Sequence, residues 1–500
     1  MQKLRVLFGA MQKLRVLFGA QDMTVGRPLR SILLFTVPLL IGNILQLAYN
    51  TVDSIVVGQF AGTNGLSAIG VSMPIQFMFA VFFMTVGTGV SVMVSQYFGA
   101  KDKVNLSKTV GNSLILILAA TLLATVLGLA LSDWILRVTK CPPEVFDNAK
   151  SYLMIMFIGF VGMGFYNILG GILRGFGDAT FPLVVLFGTT VLNIVLDIWM
   201  VATPEQLPFG LGLGVAGAAW ATVIAQTLSA IACLWRLLRM KHIVEVNKAT
   251  MKLDKYIVWT IVRIGLPSGI QQMIMSFSFV LVQSIINAIQ IPYNGILDGA
   301  IFVAVNTAVM RIDSFAMMPA QTFNQVSSTF TGQNIGAGKL DRVTRGLKLT
   351  LIMALSIAVA VFVVIQLWGG GLMRMFINDP DAARAEKIIE VGIQMMRIMC
   401  WGYLLMAASM TIGGAMRGAG DTMIQLWIMI ATNIVIRLPL TYIMVHLSKS
   451  AEYPNGSPSS IFYSMLIAFG LNVAATSVYF ATGKWKTKSI IKAQASSTEA

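Results

Sequence analysis

The sequence predicts an all-α integral membrane protein of about twelve transmembrane helices, arranged as two homologous six-helix lobes. Three observations carry that expectation: an apolar bulk composition, recurrent apolar runs of spanning length, and motifs that repeat at nearly one offset. Of the 500 residues, 56% are hydrophobic and 11% are charged, and the mean hydropathy is +0.77. A water-soluble chain of this length needs far more polar surface. Apolar runs of roughly 20 to 30 residues each reach across about 30 Å of hydrocarbon as a helix. A helix also satisfies its own backbone hydrogen bonds in lipid, one segment at a time. The short alternating segments of a transmembrane barrel do not occur in the sequence.

Hydrophobic runs bounded by turn and charge signals place the first six helices near 31–59, 66–98, 107–138, 150–174, 181–203 and 213–240. The second six fall near 256–289, 298–332, 343–375, 385–416, 422–446 and 458–482. Lys and Arg gather in alternate connections. The N-terminal arm carries Lys3, Arg5, Lys13, Arg15, Arg27 and Arg30, and the tail carries Lys484, Lys486, Lys488 and Lys492. Lys101, Lys103 and Lys108 follow the second helix, Arg236 to Lys255 the sixth, and Lys339 to Lys348 the eighth. The intervening loops 60–65, 204–212 and 290–297 hold no Lys or Arg. Because positive residues stay inside, both termini are expected in the cytoplasm and the chain in the cell inner membrane, with an even number of spans.

The halves repeat. VSQYFGAKD at 94–102 answers TGQNIGAGK at 331–339, and LRGFGD at 173–178 answers MRGAGD at 416–421. Gln96 and Gln333 are 237 positions apart, and Arg174 and Arg417 are 243 apart. Two motif pairs at nearly one offset mark a duplication. An even number of helices per half gives both halves one orientation, so the pseudo-twofold axis runs along the membrane normal. The expected organisation is an arm over 1–30, lobes over 31–240 and 256–482, an inter-lobe linker over 241–255, and a tail over 483–500. Two similar bundles about a central cleft suit a carrier that opens to alternate sides. The decapeptide 1–10 recurs unchanged as 11–20. We expect an artefact of the gene boundary, with Met23 as the natural start; a functional repeat is the alternative. Its apolar part, VLFGA, is too short for a signal-peptide core.

Several classes are set aside by the same reading. The net charge of +15 sits in tails and loops with no basic face interleaved with aromatics, so a nucleic-acid partner is not expected. Cys141, Cys233 and Cys400 have no paired spacing, and His242 and His446 lie far apart, so neither disulfides nor a metal site are expected. The glycines of LRGFGD and MRGAGD lack the preceding strand and the spacing of a nucleotide site, and most simply permit tight turns at cytoplasmic helix ends. With no ATP site, no cofactor and no nucleophile–base cluster, an enzyme is not expected. Transport would draw on an ion gradient. The 31 methionines are chiefly apolar filler, though thioether-rich clefts adapt to varied ligands.

Charges at membrane depth cost roughly 2.5–3.5 kcal/mol each on insertion scales and mark candidate sites. In the first helix Asn43, Gln46, Tyr49, Asn50 and Asp53 recur at intervals of three and four, as a stripe on one face. Thr189, Asn193 and Asp197 form a similar stripe on the fifth, and Thr222 and Gln226 add another on the sixth. Two neighbouring carboxylates in a low dielectric cannot both ionise freely. Such a pair can hold a proton, a Na⁺ or an organic cation, and that competition is the physical content of antiport. The second half differs. Its seventh helix offers Gln272, Ser276 and Gln283 without a charge, and TNIVIRL at 432–438 places Arg437 where LNIVLDI at 192–198 has Asp197. Arg437 is expected to neutralise a charge or prop the cleft. Arg311 and Asp313, two apart on the eighth helix, point about 200° apart and need separate partners; a structural and a coupling role stand equally open for them.

The chain resembles a bacterial multidrug and toxic compound extrusion (MATE) transporter from about Arg27 to Lys484. The resemblance rests on AYNTVDSIVVGQFAG at 48–62, SQYFGAKD at 95–102, ILRGFGDATFP at 172–182 and LNIVLDI at 192–198. GVAGAAWAT at 214–222, RIDSFAMMPA at 311–320, TGQNIGAGK at 331–339 and AMRGAGDT at 415–422 extend it. It implies a V-shaped pair of lobes and export of amphipathic organic cations in exchange for H⁺ or Na⁺. A monomer in contact with the bilayer is expected. The family's first-lobe residues correspond to Tyr49, Asp53, Asn167, Asn193, Asp197 and Thr222. The NorM-type branch adds second-lobe acids, but GLPSGIQQMIMSF at 265–277 and YLLMAASMTIGG at 403–414 contain none. The resemblance therefore favours the branch whose first-lobe acids do the coupling. A flippase for lipid-linked saccharides or lipids is the alternative, for which a strongly basic central cleft is expected.

Overall fold

A computed structural model describes residues 19–293, 296–377, 379–451 and 453–491. Residues 1–18 of the duplicated decapeptides, with Lys3, Arg5, Lys13 and Arg15, lie outside the described residues, as does Lys492. The architecture is nearly all helical. In chain order it runs α1 (Pro28–Phe60), α2 (Gly62–Gly99), α3 (Lys103–Val138), α4 (Pro143–Gly175), α5 (Thr180–Val201) and α6 (Gly214–Arg239). Then come α7 (Lys255–Ala288), a hairpin of β1 (Ile291–Tyr293) and β2 (Ile296–Asp298), α8 (Gly299–Gly336) and α9 (Leu340–Arg374). α10 (Ala382–Gly418), α11 (Thr422–Leu447) and α12 (Ser459–Ala481) complete it. All twelve helices are long and apolar enough to cross a bilayer.

Local chemistry sets the helix limits. Pro28 and Pro143 open α1 and α4, where a missing N–H costs nothing. Asp102 caps α3 by accepting from the Asn105 amide at 3.0 Å, and Asp381 caps α10 by accepting from Ala383 at 3.0 Å and Arg384 at 3.3 Å. The two repeated motifs end their helices in matching ways. After α2 and α8 the chain turns through a left-handed residue, Lys101 at φ 59° and Gly338 at φ 72°. After α4 and α10 the left-handed residues are Gly177 at φ 81° and Gly420 at φ 92°.

Residue contacts group the helices into two compact units. The first is Met1–Gly269 with Gly332–Lys339, and the second is Ile270–Thr331 with Leu340–Ala500. The division thus falls within α7 and α8 rather than at 241–255. In the first unit, Phe79 of α2 meets Phe157 of α4 edge-on at 5.0 Å, and Phe157 meets Phe160 at 5.1 Å. The segment 241–255 is tied to α3. Asn112 accepts from the Asp254 amide at 2.8 Å and donates to the Lys252 carbonyl at 3.1 Å. The repeated SQYFGA and GQNIGA stretches cross at very close range. A Cβ on Gly99 would lie 1.9 Å from the Gln333 carbonyl oxygen, and one on Gly336 would lie 1.9 Å from that of Gln96. Across this crossing runs the segment before α1. Its Met23 amide donates to Gln333 Oε1 at 2.9 Å, while Lys339 Nζ donates to the Thr24 carbonyl at 2.9 Å.

In the second unit, α10 is the central helix, packed on α9 and α12. The hairpin stands where the sequence suggested a plain loop over 290–297. Tyr293 donates to Asp381 at 2.6 Å and Arg384 pairs with Asp298 at 3.1 Å, which fastens the hairpin to the start of α10. The hydrogen bond from Tyr293 is the main reason the Asp381 carboxyl titrates below its usual range. α11 is not uniform: Ile430–Ile436 is a π-helical turn between α-helical flanks. The sequence reading missed it, because hydropathy carries no information on an i→i+5 register.

Candidate functional site

Asp53 and Asp197 face one another in the first unit, one from α1 and one from α5. Both are buried, Asp53 with 8% of its surface exposed and Asp197 with none. The helix periodicity explains the placement. Tyr49 and Asp53 are one turn apart and both point inward, as do Asn193 and Asp197. Asn50 follows Tyr49 by one position and is exposed, so it leaves the polar stripe that spacing suggested. Asn43 and Gln46 are half-buried.

The two carboxyls lie within reach of a shared proton. Beyond that mutual approach, donors are scarce. Asp53 Oδ1, both oxygens of Asp197 and both side-chain polar atoms of Asn193 are buried without a hydrogen-bond partner among the described residues. Native interiors rarely leave one such atom orphaned, let alone five together. An ionised carboxylate only accepts, so two of them cannot satisfy each other; a proton on one, or a cation between them, can. Chemically, such an arrangement can hold one positive charge.

Tyr49 and Thr222 border the pair, with the Tyr49 hydroxyl donating to Thr222 Oγ1 at 3.3 Å and Gln226 beside it. Thr189 accepts from Ser229 of α6 at 2.9 Å, which joins α5 to α6. Asn167 stands apart from these contacts. It is exposed, and its amide donates to the Met163 carbonyl of its own helix at 2.9 Å. Two further residues were missed in the sequence. Tyr152 of α4, buried and close to Asp53, has Gln76 of α2 at its hydroxyl. Their signal was faint: single polar groups within apolar runs, with no partner at helical spacing.

The second unit offers a different set. Asp313 of α8 accepts a hydrogen bond from Tyr403 of α10, whereas Arg311 is exposed and forms no ion pair among the described residues. Gln283 of α7 accepts from Asn306 of α8 at 3.1 Å and donates to Asn287 at 2.9 Å. Asn472 of α12 donates to Thr432 at 2.9 Å and accepts from Ser409, so it links α10, α12 and the π turn. Arg437, just after that turn, is buried with 7% exposed. Among the described residues no group of three or more His, Cys, Asp and Glu could hold a metal ion.

Comparison with known proteins gives this arrangement a family. The MatE family profile matches residues 38–199 and 272–443, one stretch in each half of the chain. The chain belongs to the MatE family. Over 450 residues it is 26% identical to a probable multidrug resistance protein of Bacillus subtilis, YoeA, covering 88% of this chain and 92% of that one. A second probable multidrug resistance protein of Bacillus subtilis, YpnP, is 26% identical over 465 residues, covering 93% of this chain and 97% of its own. Among solved structures, a MATE transporter in complex with MaL6 superposes with a TM-score of 0.81 at 25% identity, over 93% of this chain and 97% of that one. The MatE match accounts for the twelve helices in two six-helix lobes and places the chain among transporters rather than enzymes.

Proposed function

We propose that this MatE chain is a secondary active multidrug exporter of amphipathic organic cations, driven by exchange for H⁺ or Na⁺. The observation that carries the reading is the buried Asp53–Asp197 pair, with three of its own oxygens and both polar atoms of the Asn193 side chain orphaned. A site that holds one positive charge accepts a proton or metal cation in one state and a cationic drug in another. Binding of either excludes the other, and alternation of the lobes between inward-open and outward-open states converts exclusion into exchange. Tyr49, Asn193 and Thr222 orient the site, and Asn167 lines the exposed approach to it. First-lobe acids do the coupling, in keeping with the absence of any acid from 265–277 and 403–414. The protein acts as a monomer in the cell inner membrane with both termini cytoplasmic. The curated relatives named as multidrug resistance proteins support the substrate class.

The test is ethidium efflux from proteoliposomes under an imposed pH gradient and then an imposed Na⁺ gradient, comparing wild type with Asp53→Asn. Gradient-driven efflux lost in the variant is the expected result, and the effective gradient names the ion. Efflux under neither gradient overturns the reading and directs the search to labelled lipids.

A further inference from the structure

The second lobe carries a charge of opposite sign at the position that answers Asp197. LNIVLDI on α5 and TNIVIRL on α11 match at Asn, Ile and Val, and then diverge at Asp197 and Arg437. Both residues are buried, Asp197 completely and Arg437 with 7% exposed. Each lacks satisfaction in the same way: Arg437 Nε is buried with no hydrogen-bond partner, as are both oxygens of Asp197.

Among the described residues of the second unit, no carboxylate pairs with the guanidinium. Asp313, an acid at membrane depth in the same unit, accepts from Tyr403 and makes no ion pair with Arg437. The backbone near it is shaped by the π turn Ile430–Ile436, a departure from α geometry that recurs at binding sites. Asn433, Arg437 and Thr441 share one buried face, and Thr441 shares a hydrogen bond with Ser464 of α12 at 2.8 Å. A planar five-donor fork, always charged, held in an apolar bundle with a donor unfilled, is a receptor for an anionic oxygen group.

We infer that Arg437 forms a second-lobe subsite for a carboxylate or phosphate group, supplied by a zwitterionic transported molecule or by an anionic lipid headgroup. The substrate form of this inference rests on the export reading above, and the lipid form does not.

The experiment uses the full chain in phosphatidylcholine nanodiscs. Intrinsic fluorescence follows binding of norfloxacin, a zwitterion, and of its ethyl ester, which keeps the amine and lacks the carboxylate. Wild type should bind the acid more tightly than the ester, by roughly 10- to 100-fold for a charge-assisted contact. Arg437→Gln should remove that preference, and Arg437→Lys should keep part of it, because the charge remains without the planar fork. In a second arm, native mass spectrometry measures phosphatidylglycerol retained from mixed-lipid discs. Retention lost in Arg437→Gln with no acid preference in wild type assigns the site to lipid. Equal binding of acid and ester together with no retained phosphatidylglycerol overturns the inference. Those readouts on wild type decide the matter even where Arg437→Gln does not give monodisperse protein. Ethidium binding to wild type reports on the export reading separately, so failure of one leaves the other standing.

Discussion

Gly99 approaches Gln333 so closely that a single added carbon would sit 1.9 Å from the Gln333 carbonyl oxygen. Gly336 and Gln96 reproduce the contact with the roles exchanged. The duplicated motif therefore packs against its own copy, and glycine is required because backbone meets backbone. Gly99→Ala and Gly336→Ala should each destabilise the protein by about 1–3 kcal/mol, the range for overpacking. The double variant should lose less than the sum, because one displacement relieves both clashes. Thermal unfolding in detergent of the four proteins checks this, and strict additivity would refute the shared crossing.

The proposed exchange at the carboxyl pair predicts a trade between transport and stability. Asp53→Asn and Asp197→Asn should each reduce gradient-driven efflux at least about tenfold while the protein still inserts. Either change also replaces one of two carboxyls that cannot both ionise freely with an amide that donates, so melting temperature without ligand should rise. An unchanged or lower melting temperature in both variants contradicts the unsatisfied state of the pair.

Asp178, in the loop between α4 and α5, pairs with Arg236 of α6 at 3.3 Å. Its counterpart Asp421 accepts from Tyr479 of α12 at 2.6 Å. Both pairs repeat at an offset of 243, from 178 to 421 and from 236 to 479. Burial raises the Asp178 carboxyl above its usual range, against the opposing pull of the Phe181 amide and Arg236. Arg236→Leu should cost about 2 kcal/mol, and Arg236→Tyr less, since the second lobe shows that a hydroxyl serves.

The pH dependence of that variant has a definite sign. A carboxyl raised in the folded state binds more protons folded than unfolded, so stability falls as pH rises past the unfolded value near 4. Removing Arg236 strengthens the effect. The gap in melting temperature between wild type and Arg236→Leu should widen from pH 5 to pH 8; a constant gap speaks against an uncompensated Asp178.

Lys101 occupies a left-handed conformation that its repeat fills with Gly338. Lys101→Gly should stabilise the turn by about 1 kcal/mol, since Lys101 is exposed and the penalty for its Cβ disappears. The reciprocal Gly338→Lys should destabilise by a similar amount. Thermal shift of the two single variants measures both.

The sequence made the bundle legible because lipid demands long apolar helices, and the twelve runs announced themselves. The duplication and the juxtaposition of Asp53 with Asp197 were also legible, since a buried charge on a polar stripe admits few explanations. Tyr152 and Gln76 were not, because their roles depend on how α2 and α4 cross. Asn50 was misplaced by one position, which on a helix is 100° and enough to turn a side chain outward. The hairpin Ile291–Tyr293 with Ile296–Asp298 is too short for alternation to register.

The π turn in α11 leaves a mark on what the gene can tolerate. A single π turn holds one residue more than the α turn it replaces, and the helix on either side stays in phase. Deleting one residue within Ile430–Ile436 lets α11 close into regular α geometry with Arg437 still facing inward. The same deletion in α5, which has no such slack, swings Asp197 out of register with Asp53. One half of the duplication should thus tolerate a one-residue loss that disrupts the other.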